Sequence, residues 1–126
     1  MSKVFIIDDD PIHQRIAQIM IAKHMIYDEY SSYMEATKAL EYLADHHDNT
    51  RDLPDVILLD LNMPGMDGWD FLDQYDKLRA GITKDIKIFI VSSSVDEKDK
   101  LRAETYPTVN GFISKPLTPQ ILRTTQ

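Results

Sequence analysis

Acids, a hydroxyl and a lysine recur in this chain at one kind of place, the end of a short apolar run. Asp8 and Asp9 follow Val4 to Ile7, Asp60 follows Val56 to Leu59, Ser92 follows Ile86 to Val91, and Lys115 follows Val109 to Ser114. The runs are rich in β-branched or aromatic residues and too short for helices, so each reads as a buried strand. In an open parallel sheet, ligands sit outside the carboxyl ends of the strands, which would bring Asp8, Asp9 and Asp60 to one crevice. Carboxylates gathered there repel one another, and at least one would hold its proton near neutral pH without compensation. A hard divalent cation with oxygen ligands removes that conflict; Mg2+ suits the site, and Mn2+ would substitute. Asp60 could then stay ionised and nucleophilic while Ser92 and Lys115 hold the oxygens of an incoming group. Phosphoryl transfer is the natural chemistry of such a set.

Taken singly, each of these residues has a plainer explanation. Asp is a common turn and cap residue after a strand, and Asp10-Pro11 looks like a helix start, so Asp10 is expected to cap rather than to bind metal. Ser92, Ser93 and Ser94 could merely end a strand, and Lys115 could be a surface lysine before Pro116. What outweighs these explanations is acids, hydroxyl and lysine all ending different strands. His13, in the first turn of the first helix and near the acids, could approach the site, but it is expected to be solvated or capping rather than a ligand. His46 and His47 fit no familiar zinc spacing and are expected at a solvated helix end. Trp69 is expected either beside the acidic loop or on the surface as a partner contact.

Stretches of helical periodicity separate the strands. The apolar positions are Ile12, Ile16, Ile19 and Met20 in the first, Ala36, Leu40 and Leu43 in the second, and Phe71, Leu72, Tyr75 and Leu78 in the third. A further strand is expected over Glu29 to Met34, where the alternating rhythm leaves a vacancy. Asp96 to Glu104 carries only Leu101 and Ala103 as apolar positions, so a helix there would be weakly anchored and locally mobile. Thr118-Pro119 suits the start of a short final helix. Asp45 to Asp55 reads as a long polar loop between the second helix and the third strand. Strand and helix alternating in this way demand a parallel sheet covered on both faces, because crossovers are right-handed. The expected class is α/β, a flavodoxin-like doubly wound five-stranded parallel sheet of order 2-1-3-4-5.

Composition narrows the function classes. The 126 residues suit a single domain, taken as 1–126. With 14 Lys and Arg against 21 Asp and Glu, a formal charge of -7, direct nucleic-acid binding is disfavoured. The absence of cysteine excludes disulfides, thiolate nucleophiles and Cys-ligated zinc. Met1-Ser2-Lys3 runs directly into a strand without a long apolar segment, so no membrane association is expected and a cytoplasmic location fits.

Four segments, IIDDDP, LLDLNMPGMDG, IVSSS and GFISKP, occur in order along the chain. Together they resemble the response-regulator receiver family of two-component phosphorelays, of the stand-alone, chemotaxis-regulator-like kind. The resemblance implies Asp60 as the phosphorylated residue, Asp8 and Asp9 as the metal-binding acid pair, and Lys115 as the lysine contacting the phosphate. It implies that Asn62 supplies a backbone carbonyl to the metal, that Ser92 and Phe112 form the switch, and that Asn62, Ser93 and Ser94 tune dephosphorylation. It also implies a cis Lys115-Pro116 peptide, a histidine kinase or histidine phosphotransfer domain as phosphodonor, and an unidentified downstream protein. The output would be a change in the face formed by the fourth helix, fifth strand and fifth helix, without multiple-turnover enzyme activity.

Three other readings are weaker on the residues. Asp8-Asp9-Asp10 contains the D-x-D of haloacid-dehalogenase-like phosphatases, but Pro11-Ile12-His13 replaces the Thr or Val expected next, and little chain is left for a cap. A binding-only module would not need the intact acids, hydroxyl and lysine. A flavin phosphate would meet Asp8, Asp9 and Asp10 where it needs hydroxyls and amides.

Overall fold

Every strand of the sheet runs parallel to its neighbours, so the carboxyl ends of all of them open on one edge of the molecule. The computed structural model describes residues 2–93 and 96–126. In chain order the elements are β1 (Lys3–Ile7), α1 (Pro11–His24), β2 (Glu29–Tyr33), α2 (Ala36–Asp45), β3 (Val56–Asp60), α3 (Gly68–Leu78), a 3-10 turn (Arg79–Gly81), β4 (Lys87–Ser92), α4 (Glu97–Ala103), β5 (Val109–Ser114) and α5 (Pro119–Thr124). The sheet order is β2-β1-β3-β4-β5, the flavodoxin-like doubly wound arrangement expected.

Alternation along the central strands divides the core in two. Phe5, Ile7, Ile57, Leu59, Ile88 and Ile90 face α2 and α3, where Leu40, Leu43, Phe71, Leu72 and Tyr75 cover them. Val4, Ile6, Val56, Leu58 and Val91 face α1 and α5, meeting Ala17, Ile21 and Leu122. β2 lies at the edge, which explains its polar EYSSY sequence: one side of the strand lacks a neighbour, and the half-buried Tyr33 packs against the core beside Phe5 and Tyr42.

The first helix corrects the sequence reading. Its isoleucine stripe is on the outside, with Ile12 67%, Ile16 40% and Ile19 50% exposed, while Gln14, Ala17 and Ile21 are buried. Residues two apart sit about 200° around a helix, so Ile12 and Gln14 point to opposite sides. Both stripes have helical spacing, and a polar group decides between them. The Gln14 side-chain amide donates to the carbonyls of Ile6 at 3.0 Å, Asp8 at 2.9 Å and Tyr33 at 3.1 Å. Those carbonyls lie at the ends of two neighbouring strands, and Gln14 ties them to α1.

α4 is anchored as thinly as its composition suggests: Ala103 is buried and Leu101 is 62% exposed. Besides its contacts with β5, it is tied to α3. The Arg102 guanidinium lies 4.5 Å from the Trp69 ring centre, and the Tyr106 hydroxyl, just beyond the helix, donates to Asp73 at 2.7 Å. Trp69 is thereby buried, stacked on Tyr106. α5 starts where expected, with the Thr118 hydroxyl accepting the Ile121 amide at 3.2 Å, and Leu122 fixes it to the sheet.

Gln14→Leu should therefore destabilise the fold by about 1–3 kcal/mol, because strand-end carbonyls lose their donor. Ile19→Ser, although it removes the more hydrophobic side chain, should stay within about 0.5 kcal/mol of the parent. Urea denaturation of the two variants checks the pair; the opposite ranking would place the isoleucine stripe inside.

Candidate functional site

The crevice at the carboxyl edge is built from strand ends. Asp8 continues β1, its amide donating to the Tyr33 carbonyl at 3.0 Å, and Asp60 is the last residue of β3. Both are buried, and Asp9 is half-buried. One oxygen from each of Asp8, Asp9 and Asp60 lies within 4.8 Å of the others. Ser92, fully buried, ends β4, and its carbonyl accepts the Lys115 amide at 2.8 Å, which carries the chain after β5 to the same edge. The Lys115-Pro116 peptide is cis, as the resemblance implied.

The Lys115 ammonium enters among the acids, 3.1 Å from Asp8 Oδ2 and 3.6 Å from Asp60 Oδ2. Asp8 Oδ1 accepts the Asp10 amide at 2.9 Å, and Asp60 Oδ1 accepts the Asn62 amide at 3.3 Å. Asp10 itself caps α1, accepting the Ile12 amide at 2.9 Å, as expected. Asn62 and Ser93 are exposed at the rim, and Ser94 lies outside the described residues. Phe112 is half-buried on β5, in a groove it shares with Lys100, Ala103 and Glu104 of the α4 region.

Burial raises the Asp60 carboxyl to about 6, the charge of Asp8 adds to the rise, and Lys115 opposes it. One ammonium does not balance these carboxylates. Oxygen donors alone, close together and short of positive charge, fit a hard divalent cation. Among the described residues this is the one cluster of metal-ligating side chains; His46 instead stacks on Tyr42 at 4.0 Å and faces its carbonyl with Nδ1 at 2.9 Å.

Two contributors escaped the sequence reading. Gly68 opens α3 directly against the end of β3: a Cβ there would lie 2.7 Å from the Asp60 carbonyl and 2.8 Å from Leu61 Cα, so only glycine permits the approach. Its place in the MPGMDG run hinted at a turn but not at backbone contact. His13, half-buried, reaches the site, the less favoured of the two expectations. Its Nδ1 lies 2.8 Å from Lys115 Nζ, 3.3 Å from Asp10 Oδ2 and 3.8 Å from Asp8 Oδ2. Its place in the first turn of α1 put it near the acids, but nothing in its spacing signalled Lys115, 102 residues away.

The chain is similar to known proteins in sequence and in fold. The profile described as "Response regulator receiver domain" matches residues 4–125. The glycerol metabolism activator of Pseudomonas putida is 36% identical over 115 residues, covering 91% of this chain and 48% of that protein. A two-component response regulator from Cytophaga hutchinsonii superposes with a TM-score of 0.88 at 28% identity, over 99% of this chain and 93% of that one. A response regulator receiver protein from Dyadobacter fermentans DSM 18053 does so with a TM-score of 0.84 at 29% identity, over 98% and 94%. The chain spans about half the length of the curated relatives it matches.

The raised Asp60 carboxyl gives a signed expectation for metal-free protein. A carboxyl whose folded value is raised favours the fold while protonated; that contribution is complete below 3.8 and is lost as pH rises through about 6. Asp60→Asn, neutral throughout, should therefore be more stable than the parent near neutral pH, by on the order of 2 kcal/mol, and no more stable near about pH 3.5. Urea midpoints in the presence of a chelator test this, and a pH-independent difference between the two proteins would contradict it.

Proposed function

The chain belongs to the response-regulator receiver family, the signalling module of two-component systems, and from that premise we propose that it takes a phosphoryl group on Asp60 from a phosphohistidine partner. The observation that carries the reading is the convergence of Asp8, Asp9, Asp60 and the Lys115 ammonium, from separate strand ends, on one crevice. The donor is a histidine kinase or a histidine phosphotransfer domain, and residues 1–126 act as one receiver domain.

Asp60 Oδ attacks phosphorus, the bond from phosphorus to the donor imidazole nitrogen breaks, and an acyl phosphate remains on Asp60. Asp8, Asp9, Asp60 and the Asn62 carbonyl would hold Mg2+, or Mn2+ in its place, whose positive charge would let the acids stay ionised together. Lys115 already stands within 3.6 Å of Asp60 Oδ2 and needs only to redirect an N–H to reach a phosphoryl oxygen. The Ser92 hydroxyl engages a second oxygen. Because the Ser92 carbonyl also holds the Lys115 amide, movement of Ser92 pulls on the end of β5 as well as on the segment leading to α4.

That pull shifts an existing equilibrium of the α4–β5–α5 face, where α4 has little apolar anchorage and Phe112 lines the groove beside it. The output is altered affinity for a downstream protein. Asn62, Ser93 and Ser94 tune the lifetime by controlling water access to the acyl phosphate. The domain assists its own phosphorylation and dephosphorylation and is not a multiple-turnover enzyme. A net charge of -7 supports a protein partner over nucleic acid. The role proposed is cytoplasmic and away from membranes; no described helix is long and apolar enough to cross one.

Acetyl phosphate with Mg2+ should add a single phosphoryl group to the protein, read by intact-protein mass spectrometry, and none to Asp60→Asn or to protein in chelator. A labelled Asp60→Asn variant would move the acceptor elsewhere. Beryllofluoride with Mg2+ should change amide exchange in α4 and β5, and unchanged exchange there would remove the switch while leaving the acceptor intact.

A further inference from the structure

His13 belongs to none of the four sequence motifs at the crevice, yet its ring makes the shortest contact of the Lys115 ammonium, 2.8 Å from Nζ to Nδ1. An ammonium has three N–H donors and no lone pair, so the lysine must donate and Nδ1 must accept. The alternative, Nδ1–H donating to Asp10 Oδ2 at 3.3 Å, would set donor against donor across that 2.8 Å contact. The neutral ring therefore carries its proton on Nε2. α1 holds it in place, since Asp10 caps the helix one turn before and Gln14, the next residue, is locked to strand-end carbonyls.

We infer that His13 is a positioning residue that aims the Lys115 ammonium into the crevice by accepting one of its protons at Nδ1. The inference rests on the phosphoryl-transfer reading above, and it assigns a role that reading leaves vacant. Among the described residues the other two partners of the Lys115 ammonium are Asp8 Oδ2 and Asp60 Oδ2, carboxylates that the phosphoryl-transfer reading commits to the cation and to the phosphoryl group. When they are engaged, a lysine with four rotatable bonds would regain much of its freedom. His13 keeps one N–H satisfied throughout. Because it is neutral, it orients the cation without cancelling the charge that a phosphoryl oxygen must meet; a carboxylate in its place would compete for that charge.

The test uses two substitutions of similar shape. His13→Asn places Oδ1 where Nδ1 now sits and keeps an acceptor; His13→Leu fills the space without one. At saturating Mg2+, His13→Leu should be labelled by acetyl phosphate about tenfold more slowly than the parent, and His13→Asn within about twofold of it. Mg2+ affinity, measured calorimetrically without phosphodonor, should be unchanged in both, since the acids are untouched. In metal-free parent protein at about pH 8, long-range proton–nitrogen spectra should show the Nε2–H tautomer of His13. Parent-like labelling of His13→Leu, equal slowing of both variants, or an Nδ1–H tautomer would each overturn the assignment. A parent protein that is never labelled would overturn the functional reading instead, and the metal-free tautomer would still decide the His13–Lys115 bond.

Discussion

Like charge held at close quarters is the constraint around which the rest of this molecule is arranged. Three carboxylates from two strand ends offer oxygens within 4.8 Å of one another, and a single ammonium stands among them. Burial first, and then the charge of Asp8, drive Asp60 toward its protonated form against the pull of Lys115. The fold tolerates it because the rest of the chain is committed before the acids begin: every strand that ends at the crevice except β2 is pinned by apolar residues behind it. Strain at the edge is carried by a core that does not share it.

Backbone contacts set the acids and the lysine more firmly than their own side chains do. Asp8 is fixed by its amide to Tyr33 and by Gln14 on its carbonyl. Asp60 is backed by Gly68, whose missing side chain lets α3 close on the strand end. Lys115 is fixed by its amide on Ser92, which puts hydroxyl and ammonium on one mechanical unit. α4 has Ala103 as its buried residue and is tied to α3 by Arg102 over Trp69.

Much of this was legible without coordinates. Central strands buried on both faces are continuous apolar runs whatever surrounds them, so β1, β3 and β4 stand out; β5, expected to be buried, lies at the other edge and is only half-buried, yet it too shows as an apolar run, and the residues that end these strands can be read as a set. β2 was readable only as a gap in the rhythm, because an edge strand need not be apolar. α1 was misread for an instructive reason: two stripes share helical spacing, and hydrophobicity favours the isoleucines, whereas the hydrogen-bonding demand of strand-end carbonyls turns Gln14 inward.

The sequence by itself determined the strand and helix alternation, the parallel sheet that alternation requires, and the presence of acids, hydroxyl and lysine at strand ends, since each depends on residue type and local spacing. Only the tertiary structure decided which way α1 faces, that Gly68 touches the Asp60 backbone, and that His13 meets Lys115 across a separation of 102 residues. Those are contacts between elements whose relative rotation is set by packing, and local sequence carries no record of a partner that only the folded chain brings within reach.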